Sequence, residues 1–77
     1  MAIAHNFELD VRGEACPYPL IRTKQQVDKL KSGEVLKVVA SDPVAWQNID
    51  AWASKSGNEF LGVEINDGVY HIFVRKA

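Results

Sequence analysis

Phe7-Glu8-Leu9-Asp10-Val11 alternates apolar and polar residues with period two, the pattern of a half-buried strand. It predicts a first strand over Phe7–Val11 with Phe7, Leu9 and Val11 on the core face. Gly13 breaks the alternation. From Leu20 onward the apolar positions follow helical spacing and predict a helix over Pro17–Lys31. Leu20, Thr23, Val27 and Leu30 form its inward stripe, with Ile21 beside it. Arg22, Lys24, Gln25, Gln26, Asp28 and Lys29 cover the solvent side, and Ser32-Gly33 supplies the stop. A valine-rich run over Glu34–Ala40 reads as an inner strand. Ser41-Asp42-Pro43 predicts a second helix over Pro43–Ser56, with Asp42 as N-cap and Ala45, Ile49, Trp52 and Ala53 on one face. Glu59–Ile65 and Val69–Arg75 read as strands joined by the hairpin turn Asn66-Asp67-Gly68.

The element order β-α-β-α-β-β fixes much of the architecture. The first two strands need a right-handed crossover and lie parallel. The last two form an antiparallel hairpin. Two helices are too few to cover both sheet faces, so both are placed on one face, with the other open. The expectation is a two-layer α/β sandwich with a four-stranded mixed sheet. Sites in such sheets gather at the carboxyl ends of the parallel strands. Cys16 follows one of these ends and Asp42 the other, so both helix starts open on one edge of the molecule.

Composition narrows the function. Seventy-seven residues, 47% of them hydrophobic, make one small domain with one core. A net charge of -1 argues against a general nucleic-acid binder. The single cysteine excludes an intrachain disulfide and a paired-cysteine redox centre, and suits a reducing compartment. Met1 to Asn6 carries no signal-peptide pattern, and no apolar run reaches membrane-spanning length. A cytoplasmic protein is expected.

Candidate chemistry centres on Cys16. Pro17 suits the first helical position and Pro19 the first turn, leaving Cys16 at the helix cap. A helix N-terminus favours the thiolate, the reactive form, so Cys16 is expected partly exposed with a lowered pKa. A free cysteine is more often a small buried hydrophobe. The turn glycine before it and the prolines after it pack a core poorly and suit an exposed corner. Gly13, Pro17 and Pro19 are read as presenting the thiol. Arg12 and Lys24 would hold an anionic sulfur donor or an acidic partner, or be ordinary solvated charge. Glu14 would accept a proton or simply be solvated. Asp42 is near the thiol or only a cap. Tyr18 with Trp46 would rim the site, or Trp46 would sit at the core edge. His71 points to the open sheet face and His5 lies in the tail. Two isolated histidines and one cysteine make no standard zinc site, and no cofactor is called for.

Leu9-Asp10-Val11-Arg12-Gly13-Glu14-Ala15-Cys16-Pro17-Tyr18-Pro19 resembles the signature of the TusA/SirA-like sulfur carriers, with Cys-Pro-x-Pro at the start of the first helix. Ser32-Gly33-Glu34 and Asp42-Pro43 resemble further family positions, so the likeness covers nearly the whole chain. It implies a sheet in order 1-2-4-3. It also implies a sulfurtransferase-type relay with sulfane sulfur held as a persulfide on Cys16, received from a donor and passed to an acceptor protein. The tRNA-thiolating branch carries Arg directly before the cysteine, where this chain has Ala15. Tyr18-Pro19-Leu20-Ile21 and Lys24 look more like the YeeD-type branch, associated with YeeE-type membrane transporters and thiosulfate. A thiosulfate-cleaving enzyme, an interaction module and a lone-thiol redox sensor are the competing readings.

Overall fold

A computed structural model describes residues 5–15 and 17–77. The elements follow the order β1 (Phe7–Asp10), α1 (Tyr18–Asp28), β2 (Val35–Ala40), α2 (Ala45–Ser56), β3 (Glu59–Asn66) and β4 (Val69–Arg75). The sheet order is β1-β2-β4-β3, with β1 parallel to β2 and the other pairs antiparallel. This is the expected α/β arrangement of a four-stranded mixed sheet and two helices.

The core follows from strand alternation. Leu9, Leu36, Val38, Ala40, Ile72 and Val74 point to the helix side and are buried. Val27 from α1 and Ala45, Ile49 and Ala53 from α2 close over them. β2 and β4 are the two inner strands, so their apolar runs carry most of this surface. Asp67 and Gly68 both have positive φ, 50° and 76°, as a two-residue type I′ hairpin turn requires.

Several boundaries move. Helix α1 ends at Asp28, not Lys31. Lys29 and Leu30 donate to the carbonyls of Gln26 and Val27, the tighter bonds of a closing 3₁₀ turn. Gly33 (φ 89°) therefore does not stop the helix. It sits in a later turn, where Glu34 N–H donates to Lys31 O and its own N–H to Lys76 O. Helix α2 begins at Ala45 because Pro43 and Val44 form a turn held by Asp42. Phe7, expected in the core, is 47% exposed. It opens an edge strand, with a neighbour on one side only.

The sheet face away from the helices is not bare. Phe73, Val35 and Val39 are buried there, outside the main core cluster. The ring of His5 lies over Phe73 with centroids 6.2 Å apart. Lys37, reaching Glu8 at 3.8 Å, adds its aliphatic stem to the cover.

The core assignment predicts that Ile49→Ala costs about 2–5 kcal/mol, since a fully buried branched side chain leaves a cavity that the sheet cannot fill. Urea denaturation checks this. A loss below about 1 kcal/mol would place Ile49 outside the core.

Candidate functional site

The carboxyl ends of β1 and β2 meet at one corner. Val11 is fully buried and its N–H donates to Val39 O, extending the parallel pairing one residue beyond β1. The chain then turns over Arg12-Gly13, closed by Glu14 N–H donating to Val11 O, with Gly13 at φ 82°. That positive φ explains the glycine. Gly13 N–H also donates to Ser41 Oγ at 2.9 Å. This bond ties the loop after β1 to the loop after β2, at the edge where both helices start.

Cys16, expected partly exposed at the helix cap, lies outside the described residues. Its neighbours in the chain, Ala15 and Pro17, are both exposed. Tyr18 N–H donates to Ala15 O, and Ile21 N–H donates to Pro17 O as the helix begins. Pro17 is thus the N-cap, the place expected of Cys16, so α1 starts one residue later than expected, with Tyr18 and Pro19 as the first two helical residues.

The two prolines differ. Pro17 is exposed, whereas Pro19 is fully buried and its carbonyl accepts a hydrogen bond from Thr23 Oγ1 at 2.7 Å. Pro19 is therefore an anchor of α1 in the core, a role that the helical stripe of larger apolar residues did not signal. The same bond satisfies the hydroxyl of Thr23, the buried polar residue of that stripe.

Three of the charged candidates, Arg12, Glu14 and Asp42, are already engaged. The Arg12 guanidinium grips Asp10 in a fork, Nε to Oδ1 at 3.0 Å and Nη2 to Oδ2 at 2.9 Å, and Arg12 N–H donates to Oδ1 as well. These bonds, the side-chain pair first, pull the Asp10 carboxyl from the ordinary 3.8 to about 2, and Asp10 in turn raises the Arg12 pKa. Asp10 was not among the sequence candidates. Its spacing of two from Arg12 across a strand end is the signal that could have found it. Glu14 is not a free loop carboxylate, because Arg22 Nη1 holds its Oε2 at 2.9 Å. Asp42 accepts from Val44 N–H through Oδ1, an Asx turn ahead of α2 rather than the cap of its first residue.

The apolar candidates separate. Tyr18 is 60% exposed beside the motif, and Ile21, one turn on, is also exposed. Trp46 takes the core-edge place that was its other expected role. It packs on Phe60 of β3, ring centroids 6.4 Å apart, against the core. Lys24 lies on the side of α1 that faces α2, in a shallow groove with Leu20, Asn48, Trp52 and Lys55. His71 faces the sheet side away from the helices, level with Val39 and Glu64. Its Nδ1 is buried without a hydrogen-bond partner. Among the described residues, no three carboxylate, imidazole or thiol groups converge on a point that could hold a metal ion, and no helix is long and apolar enough to cross a membrane.

Two tests follow from this geometry. Asp10 is expected to titrate near pH 2 and, in Arg12→Gln, near the ordinary value of 3.8. Because the folded pKa is depressed, its stabilising contribution is complete above about pH 4. It is lost as pH falls from there through about 2. Side-chain carboxyl NMR shifts measure both proteins, and an unshifted Asp10 in the wild type would refute the fork. Separately, Pro19→Ala is expected to lose about 1–2 kcal/mol from buried ring carbons and a freer unfolded chain. Pro17→Ala, at an exposed position, should lose less, and thermal unfolding ranks the two.

Comparison with known proteins agrees with this fold. The family model described as sulfurtransferase TusA matches residues 7–76. A putative sulfur carrier protein of Halobacterium salinarum is 45% identical over 90% of this chain and 86% of its own length. Sulfur carrier protein TusA of Allochromatium vinosum is 37% identical over 91% of this chain and 92% of its own. The putative sulfur carrier protein YrkF of Bacillus subtilis is 41% identical over 90% of this chain, which spans only 37% of that longer protein. The crystal structure of a SirA-like protein from Desulfitobacterium hafniense superimposes with a TM-score of 0.76 at 29% identity, covering 91% of this chain and 96% of that one. The chain belongs to the sulfurtransferase TusA family.

Proposed function

We propose that this protein is a sulfur carrier that holds sulfane sulfur as a persulfide on Cys16 and relays it to a partner protein. The observation that carries the reading is Cys16-Pro17-Tyr18-Pro19, with the only cysteine of the chain, at the junction of β1 and α1 in a protein of the TusA family. The helix start favours a thiolate at this position.

In the loading step the Cys16 thiolate attacks the sulfane sulfur of a donor. A new S–S bond forms, and the donor leaves with the electron pair of its broken bond. In the unloading step an acceptor thiolate attacks the outer sulfur of the persulfide. The Cys16 S–S bond breaks, its electron pair returns to Cys16 as thiolate, and the acceptor carries the persulfide away. This is ordinary thiol–disulfide-type exchange. No second cysteine is present to discharge the sulfur as sulfide within the chain. The partner docks at the Cys16 corner, with Tyr18 as the apolar centre of the contact.

Cys16→Ser is expected to abolish sulfur transfer and leave the fold unchanged. Intact mass after incubation with a persulfide-loaded sulfurtransferase should show one added sulfur atom on the wild type and none on the variant. A variant that still moves sulfur from donor to acceptor excludes the covalent route.

A further inference from the structure

Strand β1 is an edge of the sheet, and a groove runs between it and α1. Its floor is Leu9, and its walls are Arg22, Gln25, Gln26 and Lys29. Val11 N–H bonds inward to β2, so strand alternation turns the backbone N–H and C=O groups of Glu8 and Asp10 outward. Phe7 shares the helix side of β1 with Leu9, being level with the buried Leu36, yet it is 47% exposed. The edge therefore combines unpaired backbone, a half-bare aromatic ring and a flanking groove, the elements by which an extended peptide adds to a sheet.

We propose that this edge takes an extended acidic segment of the partner protein as an added strand, lying in the groove beside α1. The identity of the partner rests on the sulfur-carrier reading; the site itself does not. The lining selects the occupant. The groove offers two cations and two amides and no carboxylate. Lys29 enters no ion pair among the described residues, and Arg22 spends one nitrogen on Glu14. A second copy of this chain fits poorly. Symmetric pairing of β1 with β1 would bring Arg22 and Lys29 toward the same cations, and Glu8 and Asp10 toward the same carboxylates. The opposite edge, β3, is interrupted by a bulge between Phe60 and Gly62, a feature that discourages strand addition. The Arg22 end of the groove adjoins Glu14, so a segment seated there approaches the motif loop. Its contact is short, four residues of strand, which suits a carrier that must dissociate after each transfer.

The test uses the full chain, isotopically labelled, and two capped peptides: one alternating glutamate and valine, the other lysine and valine. Addition of the glutamate peptide is expected to shift the amides of Glu8, Asp10 and the Arg22–Lys29 face of α1 and to slow hydrogen exchange at Glu8 and Asp10. The lysine peptide should do neither. Lys29→Glu is expected to weaken the glutamate peptide about tenfold. Glu8→Pro removes an outward N–H at a position where edge strands tolerate proline, and should abolish the response while leaving the β2 and β4 shifts in place. Lys29→Glu alone decides the matter if Glu8→Pro does not fold. Equal response to both peptides, shifts centred on β3 or on the far sheet face, or binding unchanged in Lys29→Glu overturns the proposal. So does a β1-paired dimer of the peptide-free chain in sedimentation velocity. No sulfur enters the readout, so a negative result here and a failure of Cys16 to carry sulfur are separate outcomes.

Discussion

The pairing of β2 with β4 is the interaction on which the rest depends. These are the two inner strands, and their helix-side residues Leu36, Val38, Ile72 and Val74 are fully buried. At about 25 cal/mol per Å² of apolar area, the surface removed by such residues is the main term favouring a domain this small. β1 and β3 then attach as edges, and both helices are drawn to the one face where the larger cluster lies. Once β1 is parallel to β2, the right-handed crossover through α1 leaves the carboxyl ends of both strands on the same side. The corner is a product of that topology rather than of any residue within it.

Local chemistry then stiffens the corner without filling it. Gly13 N–H to Ser41 Oγ joins the two loops, Arg12 closes on Asp10, and Glu14 closes on Arg22. Each pair is exposed, so each adds little to stability. Their effect is to limit the shapes available to the segment leading into the motif. The consequence for chemistry is that Arg12 is not a waiting anion receptor. Its charge is already matched, and an incoming anion would have to compete with Asp10 for the same donors.

Much of the fold was legible because the pattern and the local punctuation agreed. Strand β4 and the Asp67-Gly68 turn follow from alternation next to a turn sequence that tolerates positive φ at both positions. The family motif marked Cys16-Pro17-Tyr18-Pro19 from residues alone. What failed to show was whatever depended on three-dimensional neighbours. Asp42-Pro43 looks like a cap and first helical residue, but the same side chain can hold an Asx turn, and here the turn delays α2 to Ala45. Pro19 reads as a rigid presenting residue in the first helical turn because proline is seldom core, and only the packing of α1 on the sheet buries it. Phe7 has the right parity for the core but the wrong position, at the first residue of an edge strand. Arg12 and Glu14 read from sequence as loop charges near the cysteine, whereas their partners are fixed by the turn and by the second turn of α1.

The far face of the sheet has no covering layer among the described residues, yet it is not uniformly exposed. Two helices are too few to cover both sheet faces, and His71 lies on the face they leave. Yet inner strands have neighbours on both sides, and a residue there is shielded by flanking side chains even without a covering layer. Phe73 is buried under His5, while Val35 and Val39 lie beside the Lys37 stem. Position within the sheet, not polarity of the run, decided burial. The same rule works in reverse at β1, where Phe7 is left half bare by standing at an edge. Stability is thus concentrated in the two inner strands. The β1 edge, the groove beside α1 and the loop that leads to the cysteine are among the accessible margins. A chain of this size reaches other molecules through such margins, since its interior is fully committed to holding the sheet together.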